Sequence, residues 1–256
     1  MPGSASTVRK SSRSIEAAGT DAAGVPVLST APEVGTLAAT LRVAEVFRSL
    51  QGEGPSAGTP AHFLRLQGCD VGCHWCDTKY SWDAAGGSER TVADAFAELR
   101  ALGEAPLLVV TGGEPLAHPG VDRLLAAAVG QWPRVEVETS GVAPPPLAHE
   151  RLHILWSPKL PSVTPRWAET WAHAERFMGD PRTTVKIVVG ASDHDDALRL
   201  VDEHRLPHGR VMLMPEGLTD EAVREGARTL APLCQREGFR LSPRLHVWMW
   251  GAKRGV

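Results

Sequence analysis

Seven short runs rich in Val, Ile and Leu, most of them separated by helix-like stretches, constrain this chain more than any other feature. They are Leu41–Phe47, Ala61–Gln67, Pro106–Thr111, Arg134–Thr139, Leu152–Ser157, Thr184–Val189 and Arg210–Met214. Largely apolar runs of this length read as strands buried on both faces, the habit of parallel sheets. Between them Thr91–Leu102, Pro119–Val129, Pro165–Phe177, Asp193–His204 and Thr219–Glu237 have helical spacing, several opening on Pro, Thr or an acidic residue. In the first of these Val92, Ala95, Phe96 and Leu99 share one face. Strand–helix alternation implies right-handed crossovers and an α/β fold, an open, partial β/α barrel of parallel strands. Chemistry is then expected at the C-terminal strand ends and in the loops after them.

Before Leu41 the texture differs. Ser, Thr, Ala, Gly and Pro fill well over half of the first 40 positions and no aromatic residue occurs there. Residues 1–40 therefore read as a disordered leader and 41–256 as the catalytic domain. Arg9, Lys10 and Arg13 give the leader a faint transit-peptide look, but an ordinary variable tail is the plainer reading. With 27 Lys and Arg against 30 Asp and Glu, the net charge of −3 offers no basic excess for tracking nucleic acid. No run is long and apolar enough for a membrane span and no signal-peptide segment is seen, so a cytoplasmic protein is expected.

Three of the four cysteines, Cys69, Cys73 and Cys76, crowd into a C-x3-C-x2-C segment after a predicted strand. That spacing is too tight and too odd-numbered for a disulfide framework. Three thiolates on one loop can chelate a compact metal centre in a reducing compartment. A structural zinc site would want a fourth ligand, and Cys234 lies far away in a helix-like stretch. His74 would have to serve from between two ligands. A 4Fe-4S cluster with one iron left open fits three thiolates better, and an open iron suggests chemistry.

This segment, with Trp75 before its last cysteine, resembles the radical S-adenosylmethionine (SAM) superfamily. Thr111-Gly112-Gly113-Glu114-Pro115 supports the likeness. Alone it is a turn after a strand; beside the cysteines it resembles the element that receives the SAM amino group, with the Glu114 carboxylate as acceptor. Phe47–Gly54, Phe63–Cys69, Cys76-Asp77-Thr78 and Trp156–Leu160 resemble more narrowly the 7-carboxy-7-deazaguanine synthase family of queuosine-type deazapurine biosynthesis. The likeness spans roughly four fifths of the chain, from about Leu41 onward.

The resemblance implies a lyase that contracts 6-carboxy-5,6,7,8-tetrahydropterin to 7-carboxy-7-deazaguanine with loss of ammonia. A 5′-deoxyadenosyl radical would take the substrate hydrogen, SAM would be reused, and magnesium would assist. Cys69, Cys73 and Cys76 would hold the cluster and Thr78 the magnesium ion, although outside this family a Thr here is often only a cap. Leu50, Gln51, Gly52, Glu53, Arg65 and Thr111 would surround the pterin. Glu53 suits its guanine-like edge and Arg65 its carboxylate, whereas without the family both read as ordinary surface or salt-bridge residues. For SAM the resemblance points to Trp75, Cys76 and Asp77, then Gly113 and Glu114, Thr139 and Ser140, Ser157, Pro158 and Lys159, and finally Met214, Pro215, Glu216 and Gly217. A homodimer and a flavodoxin- or ferredoxin-type electron donor are implied in the same way.

The C-terminus departs from the pattern. His246 is followed by a longer, aromatic tail in place of a short His-Lys one, which argues against Val256 reaching the site. Trp248 and Trp250 read as alternating strand positions bound for a core or a dimer interface, Trp167 and Trp171 as a helical packing stripe, and Cys234 as a buried hydrophobe. The rivals are a glycyl-radical activating enzyme, which would not need Gln51–Gly54 or Thr78, and a non-catalytic zinc module.

Overall fold

The computed structural model describes residues 34–251 and 253–256. Most of the expected leader, residues 1–33, lies outside the described residues. Val34–Leu37 form a single helical turn, α1, and nearby Thr36 and Ala39 are buried. The chain then runs β1 (Thr40–Leu50), β2 (Pro60–Leu66), β3 (Ser88–Thr91), α2 (Val92–Ala101), β4 (Leu107–Gly112), α3 (Val121–Val129), β5 (Arg134–Thr139) and β6 (Leu152–Trp156). It continues through α4 (Ala174–Gly179), β7 (Thr183–Val189), α5 (His194–Glu203), β8 (Val211–Pro215), α6 (Asp220–Glu237), β9 (Arg240–Leu241) and α7 (Leu245–Trp250).

One nine-stranded sheet has the order β3-β1-β2-β4-β5-β6-β7-β8-β9. From β2 through β9 every neighbouring pair is parallel, so the open α/β architecture is borne out. The first strand is the exception to the all-parallel expectation, since β1 is antiparallel to both β2 and β3. The reason is covalent reach. Only residues 51–59 join β1 to β2, whereas a parallel crossover needs about a dozen residues or more. β3 and β9 are short edge strands that the sequence reading did not contain.

Local chemistry accounts for the helices. Thr91 caps α2 in a reciprocal box, accepting from the Asp94 amide at 3.0 Å while Asp94 accepts from the Thr91 amide at 3.4 Å. Thr219 caps α6, which Gly238 ends at φ +73°. The helix expected over Pro165–Phe177 is instead a 3-10 turn, Trp167–Trp171, followed by the short α4. The Thr170 carbonyl accepts from the Trp156 indole at 3.1 Å and its hydroxyl from the Lys159 amide at 2.9 Å, so tertiary partners replace the helical ladder there.

The two faces of the sheet carry different chemistry. Outward-pointing Leu64, Leu108, Val110, Val135, Val137, Ile154, Val185 and Ile187 join the helices in one apolar core. Full burial of such side chains contributes about 1.5–3 kcal/mol each. The inward face is apolar around Phe63, Val109 and Phe47, where Phe47 and Phe63 stack at 4.7 Å, and at Leu155, Val188 and Met214. Beyond that patch the register sets Arg65 beside Thr111, and Glu136, Glu138 and Lys186 share the concave side of their strands. Expecting both faces to be hydrophobic therefore holds only in part on the inner one, which charges interrupt on β2, β5 and β7.

Candidate active site

A cavity of about 630 Å³ opens on this concave face, within the range of small-molecule sites. Its walls take Gln51, Gly52 and Glu53 after β1, Arg65 from β2, Thr111 from β4, Glu138 from β5 and Lys186 from β7. Across from them stand Cys69, Cys73 and Cys76.

The cysteine loop is stitched down along its length. Cys69 donates its amide to the Trp82 carbonyl at 3.0 Å, Thr164 donates its hydroxyl to the Val71 carbonyl at 2.5 Å, and His74 donates its amide to the Val163 carbonyl at 3.1 Å. The His74 ring also lies 3.2 Å from that carbonyl, which answers its proposed part in a zinc site with another partner. All three thiols are free, and burial pushes that of Cys69 up to about 11, its neighbouring thiols adding to the shift. A thiol so disfavoured as an anion becomes a good ligand only when a cation shares its pocket.

Two further observations fit a group held there. Trp75 lines the cavity with a buried indole N–H that has no partner. Gly113 lies so close to the start of the cysteine loop that a Cβ would come within 2.2 Å of the Gly68 carbonyl oxygen, so the wall admits only glycine. Among the described residues no three His, Cys, Asp or Glu side chains converge on one point as a single metal ion requires. A 4Fe-4S cluster instead offers each thiolate its own iron.

Thr78 begins a 3-10 turn without capping it by its side chain, and its hydroxyl lies 3.5 Å from the Cys76 sulfur. The capping explanation is thus set aside and the hydroxyl remains on the cavity wall. Glu114 is bonded within the protein. It is 2% exposed, with one oxygen accepting from the Thr139 hydroxyl at 2.6 Å and the other from the Ser140 amide at 2.7 Å and hydroxyl at 2.6 Å. These bonds fix the end of β5, and Glu114 is not among the residues lining the cavity. Thr139, Ser140, Ser157, Lys159 and Met214 reach the cavity. Pro158, Pro215, Glu216 and Gly217 are not among the residues lining it. The Lys159 ammonium sits over the Trp75 ring at 5.4 Å.

On the polar wall Gln51 donates to Glu138 at 3.1 Å and accepts from the Glu53 amide at 3.2 Å, while Thr111 donates to Glu138 at 3.0 Å. Glu53 pairs with Lys186 and, at 3.3 Å, with Arg244; His246 is 3.7 Å away. Burial opposes its charge, but these cations outweigh burial and hold its carboxyl well below the usual carboxylate range. Arg65 is bound by Glu45 at 2.7 Å, and Glu45 also receives the Tyr80 hydroxyl at 2.5 Å and Arg254 at 3.0 Å.

Sequence reasoning missed Glu45, Glu138, Lys186, Arg244 and Arg254. A signal existed for two of them: Lys186 is the sole charge in the Thr183–Val189 run, and Glu138 alternates with Glu136 among valines. A charge inside a buried strand has to face a lumen or a partner. The tail also departs from expectation. Leu245–Trp250 is helical, with Trp248 41% and Trp250 37% exposed, so neither tryptophan enters a core. A helix rises about 1.5 Å per residue where a strand rises about 3.3 Å. Coiling therefore takes up the extra length, and Val256, thought too distant, ends on the cavity wall. Cys234 is buried, as expected of a small hydrophobe.

Comparison with known proteins agrees with this geometry. Residues 64–230 match the Radical SAM superfamily. The chain is 41% identical over 221 residues to the 7-carboxy-7-deazaguanine synthase of Pyrobaculum aerophilum, covering 84% of this chain and 97% of that protein. To the synthase of the same name from Hyperthermus butylicus it is 34% identical over 227 residues, covering 84% and 95%. Among solved structures it is similar to QueE from Escherichia coli, with a TM-score of 0.59 and 27% identity over 81% of this chain and 95% of that one. The chain belongs to the 7-carboxy-7-deazaguanine synthase family of the radical SAM superfamily, whose enzymes work with a 4Fe-4S cluster and SAM.

Proposed function

We infer that this protein is the lyase that converts 6-carboxy-5,6,7,8-tetrahydropterin into 7-carboxy-7-deazaguanine with loss of ammonia. The observation that carries the reading is one cavity in which three thiols face a polar wall of Gln51, Glu53, Arg65, Thr111 and Glu138. Such a wall suits a flat, nitrogen-rich acid: carboxylates accept from ring N–H and amine groups, and a guanidinium can take a carboxylate in two-pronged fashion.

Cys69, Cys73 and Cys76 would hold the cluster, which when bound supplies the electron that cleaves SAM to the radical abstracting the substrate hydrogen. Trp75, Cys76 and Asp77, Gly113, Thr139 and Ser140, Ser157–Lys159 and Met214–Gly217 would hold SAM, with Glu114 steadying Thr139 and Ser140 from behind. Leu50, Gln51 and Gly52 would offer backbone and amide groups to the pterin, Glu53 would receive its guanine-like edge, and Arg65 would exchange Glu45 for the substrate carboxylate. Thr78 would present its hydroxyl to magnesium, a hard cation that prefers oxygen. Residues 1–40 are proposed as a leader without a catalytic part. We also propose a cytoplasmic homodimer reduced by a flavodoxin- or ferredoxin-type donor. No described helix is long and apolar enough to cross a membrane.

The test is an anaerobic assay of reconstituted protein with SAM, dithionite, magnesium and the pterin, read by mass. Formation of 7-carboxy-7-deazaguanine is expected. Cleavage of SAM with untouched pterin would move the substrate elsewhere, toward a protein as in glycyl-radical activation, and one bound zinc without acid-labile sulfide would leave only a structural module. Thr78→Ala should raise the magnesium needed for half-maximal rate and leave cluster absorbance unchanged.

A further inference from the structure

Arg244 is 4% exposed, lines the cavity and reaches three separate segments around it. Its Nε donates to Glu53 at 3.3 Å, its Nη2 to Asp77 at 2.7 Å, and its Nη1 to the Gly217 carbonyl at 2.5 Å. These partners belong to the β1–β2 connection, the cysteine loop and the loop after β8. The sheet does not close between its β9 and β3 edges, and hydrogen bonds here tie the segment after β9 to the β1–β2 connection. Leu245 donates its amide to the Gly52 carbonyl at 2.9 Å, and Gly54 donates its amide to the Ser242 hydroxyl at 2.9 Å. His246 packs so tightly on Gly52 that a Cβ there would lie 2.2 Å from the imidazole Nδ1.

A guanidinium is a rigid planar fork that can serve three acceptors in fixed directions, which a lysine ammonium on a flexible stem cannot reproduce. Asp77 lies between Cys76 and Thr78, so the bond that fixes Asp77 also fixes how Thr78 enters the cavity. We propose that Arg244 is a positioning residue that sets the spacing between Glu53 at the base-edge end of the pterin and Thr78 at the metal end. In this role Arg244 acts through Glu53 and Asp77. The inference rests on the pterin reading above.

The experiment uses the full-length reconstituted enzyme with SAM, pterin and Mn²⁺ in place of magnesium. Mn²⁺ affinity is followed by electron paramagnetic resonance and pterin affinity by tryptophan fluorescence. Arg244→Gln is expected to weaken both by about tenfold, within the coupling range of contacting residues, while cluster absorbance is retained. Arg244→Lys should recover only part of that loss. Asp77→Asn should weaken Mn²⁺ alone, and the double variant Arg244→Gln/Asp77→Asn should bind Mn²⁺ no worse than Arg244→Gln. Unchanged affinities alongside a lowered melting temperature, or strictly additive losses in the double variant, would overturn the proposal. If Arg244→Gln fails to fold, Asp77→Asn decides: unaltered Mn²⁺ affinity there also overturns it. Failure of the wild type to bind pterin at all would instead remove the reading on which the inference rests.

Discussion

The convex and concave faces of this sheet are written by the same strands in alternate residues, yet they obey opposite rules. On β4, Leu108 and Val110 point out into an apolar core, while Thr111, one residue on, points in toward Glu138. On β7, Val185 and Ile187 face out and Lys186 between them faces Glu53. The convex side holds the fold together through area removed from water. The concave side gives up part of that gain to keep charges desolvated but paired, which strengthens each electrostatic contact a ligand can make. Stability and chemistry are thereby separated by one step along the backbone.

The comparison can be broken most completely at the cysteine loop. Cys73→Ala should abolish the cluster and all SAM cleavage, seen as loss of visible absorbance, acid-labile sulfide and 5′-deoxyadenosine, because two thiolates remain. Next in size is the convex face: Leu108→Ala should lower unfolding stability by about 2–5 kcal/mol in a denaturant titration and leave the Michaelis constant of the folded fraction unchanged. The concave counterpart is Glu138→Gln, which keeps the shape but removes the charge that receives Gln51 and Thr111. It should reduce kcat/KM for the pterin by about ten- to hundredfold, the scale of a charged hydrogen bond, with little change in melting temperature. Smallest is Thr91→Ala at the cap of α2, expected to cost about 1 kcal/mol of stability with unaltered kinetics. A kinetic effect from Leu108 or Thr91, or a large stability loss from Glu138, would blur the division between the faces.

Legibility in the sequence followed the same division. The outward residues repeat along every strand, so all seven expected strands formed, and the capping chemistry of Thr91 and Thr219 located two helices closely. The cysteine loop and the Gly112-Gly113 turn were legible because their residue types tolerate few other uses. Arg244 and Glu45 were not, since a single charge in a loop or strand becomes informative only when folding brings its partners from 191 and 20 residues away. The direction of β1 was obscured by its likeness in composition to the parallel strands, although the short connection to β2 held the answer. The 3-10 turn at Trp167–Trp171 was hidden because the indole of Trp156 overrides local helical preference.

An unclosed sheet has two free margins, and a free margin ordinarily invites another polypeptide to add a strand. Here one margin is β3, four residues carrying Glu89 and Arg90, and the other is β9, two residues long. Neither offers enough bare backbone to template an incoming chain. The unclosed sheet can thus persist at high protein concentration without drawing copies of the enzyme into fibrous or amorphous association.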